Sequence, residues 1–179
     1  MKHALWLLLG CAVAHGASYE SLGTQVTPAE LAAADTDLAP QGAAPGGSGT
    51  VLEGQQIYAA QCAHCHGVAA TGGIHQPLAL SPQARAADSG RAAFALDPGR
   101  ARVIGNYWPY ASTLYDYIRR AMPQLAPGSL SNDEAYAVTA YLLYLNNLLP
   151  EDARVDGPRL QALDMPARPL FYQRSSSAR

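Results

Sequence analysis

Cys62-Ala63-His64-Cys65-His66 is the run that decides the fold of this chain. Two thiols three positions apart, followed at once by an imidazole, form the C-x-x-C-H signature of covalent haem attachment. Each thiol adds to one haem vinyl group, and the helical turn that spaces them points the next side chain, His66, at the iron. Zinc is the poorer reading, because a tetrahedral site needs four ligands and no second cysteine pair remains to close it. A thioredoxin-like pair wants a βαβ context, and none surrounds these residues. The motif occurs once, so one covalent haem c is expected, held by Cys62 and Cys65 with His66 as its first axial ligand.

The start of the chain gives its destination. Met1-Lys2-His3 precedes an almost wholly apolar run from Ala4 to Ala14, which reads as a secretory signal over residues 1–16, too short to span a bilayer. Cleavage after Ala14 or Gly16 suits the small-residue rule. Leu8-Leu9-Gly10-Cys11 resembles a lipoprotein box, and membrane attachment is expected only if Cys11 is lipidated. Either route predicts export to the periplasm. Cys62 and Cys65 are then the remaining thiols, so no structural disulfide is available and the haem must staple the fold. Lys2 is the only lysine, and beyond the signal eleven arginines face fourteen acids. That balance gives no support to nucleic-acid binding. It also excludes a docking ring of lysines, so any positive patch must be arginine.

Residues 17–50 form an arm rich in Ala, Gly, Pro and Ser, a composition that buries too little apolar area to fold alone. Within it Thr27-Pro28-Ala29-Glu30 looks locally ordered, with Thr27 as cap, Pro28 at the first helical position and Glu30 closing a capping box. The folded domain is read as 51–149. A first helix, Leu52 to Cys62, leads into the attachment turn. Little periodicity marks Gly67 to Tyr110, which reads as loops around the haem. Ser112 to Met122 has Leu114, Tyr117, Ile118 and Ala121 at helical spacing, and Pro123 stops it. The last helix opens on the box Ser131-Asn132-Asp133-Glu134 and carries Val138, Tyr141, Leu142 and Leu145. The tail, 150–179, has prolines at 158, 166 and 169 and reads as extended. The fold class expected is all-α.

An electron-transfer haem needs a second axial ligand, and a thioether favours the reduced iron. Met1 leaves with the signal, so Met122 and Met165 compete. Met122 sits at the end of an amphipathic helix and is locked by Pro123, which makes it the expected metal ligand beside His66. The plainer role for either methionine is core filling. Pro77 carries either a carbonyl that accepts the Nδ1 proton of His66, fixing its tautomer, or no role beyond its loop. Trp108, within Tyr107-Trp108-Pro109-Tyr110, either packs in the core or donates its indole N–H to a haem propionate. Arg119 and Arg120 adjoin Met122 and are either a solvated face or partners for a propionate or an acidic surface.

Gly54, Ile57-Tyr58, the Cys62–Gly67 run, Met122-Pro123 and the closing Tyr141-Leu142 helix together resemble class I cytochromes c. The stretch from Tyr107 to Pro123, then Ala126-Pro127-Gly128-Ser129-Leu130, is similar to the cytochrome subunits of bacterial sulfite dehydrogenases and of the sulfur dehydrogenase of thiosulfate oxidation. Thr27-Pro28-Ala29-Glu30, Gly47-Ser48-Gly49-Thr50-Val51 and Met165-Pro166 resemble them too, while Ala34 stands where that family has tryptophan. The resemblance implies short helices wrapped around one haem, with electrons arriving from a molybdenum-cofactor dehydrogenase subunit and leaving to another cytochrome c. The chain itself would then be no enzyme. Two other roles stay open from the residues alone. One is a diffusible electron shuttle or the partner of an alcohol dehydrogenase, and the other is an open-site haem enzyme or gas sensor.

Overall fold

The computed structural model describes residues 23–34, 37–86 and 99–171. The signal reading at 1–16, with Cys11, lies outside the described residues. The chain divides into two units, 1–36 and 37–179. In the first, helix α1 (Pro28–Ala34) starts as its sequence requires: Thr27 Oγ1 accepts the Glu30 N–H at 3.2 Å and the Glu30 carboxylate accepts the Thr27 N–H at 2.8 Å. The Thr27 N–H and, at 2.7 Å, the Thr27 hydroxyl both donate to that carboxylate and hold it below its usual pKa.

The second unit runs β1 (Ser48–Thr50), α2 (Val51–Gln61), α3 (Ala63–His66), α4 (Pro82–Ala86), α5 (Ile104–Tyr107), α6 (Ala111–Ala121), α7 (Asn132–Leu145), β2 (Arg154–Asp156) and α8 (Gly157–Ala162), then a 3-10 turn at Arg168–Leu170. Helix α2 is closed at its start by a Thr50–Glu53 capping box and α7 by Ser131–Glu134. The core forms where α2 crosses α7. Gly54 faces the Ala137 carbonyl there, and a Cβ at Gly54 would collide with that oxygen and approach Tyr141 Cβ at 2.9 Å. Only glycine allows this approach, and beside it the Tyr58 and Tyr141 rings meet at 5.3 Å. On the other side of α7, Tyr115 of α6 stacks on Tyr136 at 4.2 Å.

Two features depart from the sequence reading. The sequence places Val138, Tyr141, Leu142 and Leu145 of α7 at i, i+3, i+4 and i+7, yet every residue from 135 to 143 is buried. It packs on α2 and both strands as well as on α6, so it has no solvent stripe to show. Between Gly67 and Tyr110 the described residues form two short helices as well as loops, too brief to leave a period in the sequence. The fold is mostly helical, as the all-α class expects, with one pair of short strands added. Strands β1 and β2 pair antiparallel with Gly49 opposite Val155, joining the end of the arm to the start of the tail.

Neither extension is simply extended. From residue 37 the arm is laid along α6 and α7 by its own backbone: the Leu38 N–H donates to Asp116 Oδ1 at 3.0 Å, and the Pro40 and Pro45 carbonyls accept from Ser112 and Tyr136 hydroxyls at 2.9 and 2.6 Å. Small residues bring that backbone within reach of the domain's side chains, which is how an apolar-poor segment is held. In the tail, Pro158 sits in the first turn of α8, where the missing N–H costs nothing. Met165 is fully buried in the core beyond it. Met165→Ala is expected to destabilise the protein by about 2–5 kcal/mol through the cavity it leaves, read as a shift of the denaturant midpoint, with the haem spectrum unchanged.

Candidate haem-attachment site

The site is built on one turn. Helix α2 stops at Gln61 because Cys62 leaves the helical region, with φ −122° and ψ −34°. Its carbonyl then accepts both the Cys65 N–H at 3.1 Å and the His66 N–H at 3.0 Å, which folds Cys62, Cys65 and His66 onto a single turn. Gly67 ends it at φ +80°, where a Cβ would strike the Gly72 carbonyl. The next loop returns to grip the turn from outside: the Gly72 N–H donates to the His66 carbonyl and the His75 N–H to the Cys65 carbonyl, each at 3.0 Å. From α2 the Tyr58 hydroxyl donates to the Gly67 carbonyl at 2.8 Å.

Cys62 and Cys65 are free thiols, both half-buried. Burial, with a smaller contribution from Cys65, pushes the Cys62 thiol up to about 11. At neutral pH Cys62 therefore stays in its thiol form. The His66 ring is set by its backside hydrogen bond. Nδ1 lies 3.0 Å from the Gln76 carbonyl oxygen. A carbonyl only accepts, so Nδ1 carries the proton and Nε2 keeps the lone pair that a metal takes.

The acceptor expected at Pro77 is thus one residue earlier. The carbonyl is that of the Gln76–Pro77 bond, and proline holds the residue before it in extended backbone, so Pro77 acts by aiming its neighbour's oxygen. Pro77 and Gln76 also line a cavity of about 310 Å³ with Arg100, Ala101 and Arg102. His64 is exposed, and His75 has its ring 5.8 Å from that of His66, on a residue whose backbone supports the attachment turn.

Met122 caps α6 at its C-terminal end. Its N–H donates to the Ile118 carbonyl at 3.1 Å while its backbone turns extended, φ −118° and ψ 147°, before a cis bond to Pro123. Its side chain is half-buried, in contrast to the enclosed Met165. Trp108 is half-buried and meets Tyr117 of the same helix edge-on, ring centres 6.0 Å apart. Arg119 and Arg120 turn back onto the buried Asp116, at 3.7 and 2.5 Å, and so hold the arm's anchor, while Arg120 itself stays exposed to solvent. Asp116 and Gln76 went unread in the sequence. Nothing in an isolated acid inside a helix, or a glutamine before a proline, announces a buried carboxylate or a carbonyl acceptor.

The residues fit haem c: two unpaired sulfurs on one turn and an imidazole whose tautomer leaves Nε2 open. A haem-attachment turn at the end of the first of two crossing helices, with a methionine closing the helix that packs on the second, defines a class I cytochrome c. Residues 51–146, more than half the chain, match the cytochrome c family, and the chain belongs to it. Haem c bound covalently is the cofactor of that family, and Cys62 and Cys65 stand at its attachment positions. Among solved structures the chain is similar to the sulfane dehydrogenase SoxCD from Paracoccus pantotrophus, with 35% identity and a TM-score of 0.69 over 89% of this chain and 74% of that one. No curated protein matches it.

Proposed function

We propose that this chain is the periplasmic electron-transfer subunit of a molybdenum-cofactor dehydrogenase acting on a sulfur compound, and that it passes electrons singly to a further cytochrome c. When bound, haem supplies a one-electron Fe(III)/Fe(II) couple. His66 and Met122 would hold the haem iron, and Trp108, its indole N–H having no hydrogen bond to a described residue, would donate to a propionate. The observation that carries the reading is the reach of the likeness to the sulfane dehydrogenase. It spans 89% of the chain, whereas the cytochrome c match ends at residue 146. Arm and tail therefore share in it, and such extensions are what a subunit needs and a diffusible shuttle does not. The signal reading of residues 1–16 supports the compartment.

Co-expression with a molybdenum-cofactor sulfur dehydrogenase subunit tests this. Co-elution as a stable complex whose haem is reduced by the sulfur substrate, and only when the molybdenum subunit is present, is the expected result. Separate elution with reduction at diffusion-limited, concentration-dependent rates would instead make the chain a shuttle.

A further inference from the structure

The helix that ends in Met122 is tied to the arm through one buried carboxylate. Asp116, its side chain 7% exposed, lies on α6. Its Oδ1 accepts the Leu38 N–H of the arm at 3.0 Å and the Arg120 Nε at 3.0 Å, and its Oδ2 accepts Arg120 Nε at 3.0 Å and Nη2 at 2.5 Å. The Arg119 guanidinium stands 3.7 Å from Oδ1. One turn earlier, the Ser112 hydroxyl donates to the Pro40 carbonyl at 2.9 Å, and the Leu38 side chain is buried. A buried carboxylate persists only when charge and hydrogen bonds compensate its desolvation. Here part of that compensation comes from the backbone of a segment remote in sequence and part from the last turn before Met122.

We infer that Asp116 is a positioning residue for the sixth ligand: it locks the root of the arm to the last turn of α6, so that the hold on the arm fixes the direction in which Met122 is presented. This deepens the proposed function and rests on Met122 as ligand. It gives the arm a task within the cytochrome itself, because whatever holds the arm in place also holds the methionine on the iron.

The test uses ferric holoprotein and imidazole, a small ligand that binds iron once methionine leaves. Asp116→Asn keeps an acceptor but removes the charge that gathers Arg119 and Arg120. Leu38→Pro removes the donating N–H without touching α6, and Leu38→Ala keeps that N–H while losing the buried side chain. Asp116→Asn and Leu38→Pro are each expected to bind imidazole about tenfold more tightly than wild type, the effect of one charge-assisted hydrogen bond. Both should also weaken the methionine–iron charge-transfer band, and Leu38→Ala should show the smaller change. Wild-type affinity in Asp116→Asn, or a Leu38→Pro variant no different from Leu38→Ala, overturns the inference while leaving Met122 as ligand. A wild-type spectrum with no methionine–iron band removes the ligand itself, and this inference with it. Should Asp116→Asn fail to fold, the Leu38 pair decides alone.

Discussion

Haem will wash out of the double variant Cys62→Ala/Cys65→Ala under denaturing conditions, whereas it stays with the wild-type chain. The two thiols are the free cysteines among the described residues, both on the turn that His66 completes, so no other sulfur there is placed to form a thioether. With both replaced, only coordination of the iron by side chains would hold the haem, and coordinate bonds do not survive acidified organic solvent or denaturing electrophoresis. Each single variant should keep one thioether and so retain haem staining at reduced yield. The two singles are not equivalent. Cys62 ends α2 and its carbonyl receives both N–H groups of the turn, while Cys65 has its own carbonyl held by His75. Alanine leaves these backbone bonds in place, so loss of haem reports the sulfur and not a collapsed turn. The check is haem staining after denaturing gels of protein matured in a host that attaches haem c, together with extraction into acidified acetone. Full staining of the double variant would refute the attachment site.

The attachment turn was legible in the sequence because its chemistry is local: thiol, thiol and imidazole at fixed spacing need no long-range contact to be recognised. The helix ends were legible for the same reason. Thr27–Glu30 and Ser131–Glu134 are reciprocal bonds across three residues, and Pro123 follows the Met122 cap that ends α6. What escaped depends on contacts between distant segments. Tail prolines read as extended chain, yet Pro158 opens a helix, because proline's two uses, breaking and starting, look alike without the packing that chooses between them. The arm read as a linker or as an arm lying on something else, and composition, which reports only its few apolar residues, could not say on what. Its order comes from backbone groups meeting Asp116, Ser112 and Tyr136, and such bonds leave no trace in residue type. Arg119 and Arg120 illustrate the same point. Their charge left open a solvated face or a propionate or acidic partner, and the acid that pairs with them lies in their own helix, three and four residues back. The Pro77 reading missed by one residue for a smaller reason. Spacing locates a loop near His66, but only the backbone direction says which carbonyl turns inward.

Met122→Ala is expected to abolish the methionine–iron charge-transfer band of the ferric protein and to lower the reduction potential by about a few tenths of a volt, inside the ~0.8 V that axial ligation spans across haem proteins. A thioether sulfur is a soft donor that favours Fe(II) over Fe(III), so removing it, or replacing it by the harder imidazole in Met122→His, stabilises the oxidised state. The position has the features this role requires. Met122 stands at the C-terminal cap of α6, its N–H still bonded to Ile118 while its backbone has already turned extended, so the side chain leaves a rigid element at a fixed angle. It is also half-buried where Met165 is fully enclosed, as suits a side chain that a cofactor covers. Met165→Ala therefore serves as the control of equal chemistry: it should cost stability through its cavity and leave both band and potential in place. The two methionines separate the roles of ligand and core filler in one comparison. If the band persists in Met122→Ala and disappears in Met165→Ala, the assignments are reversed. If it persists in both, the sulfur is not the sixth ligand, and the electron-transfer reading would then need a different donor opposite His66.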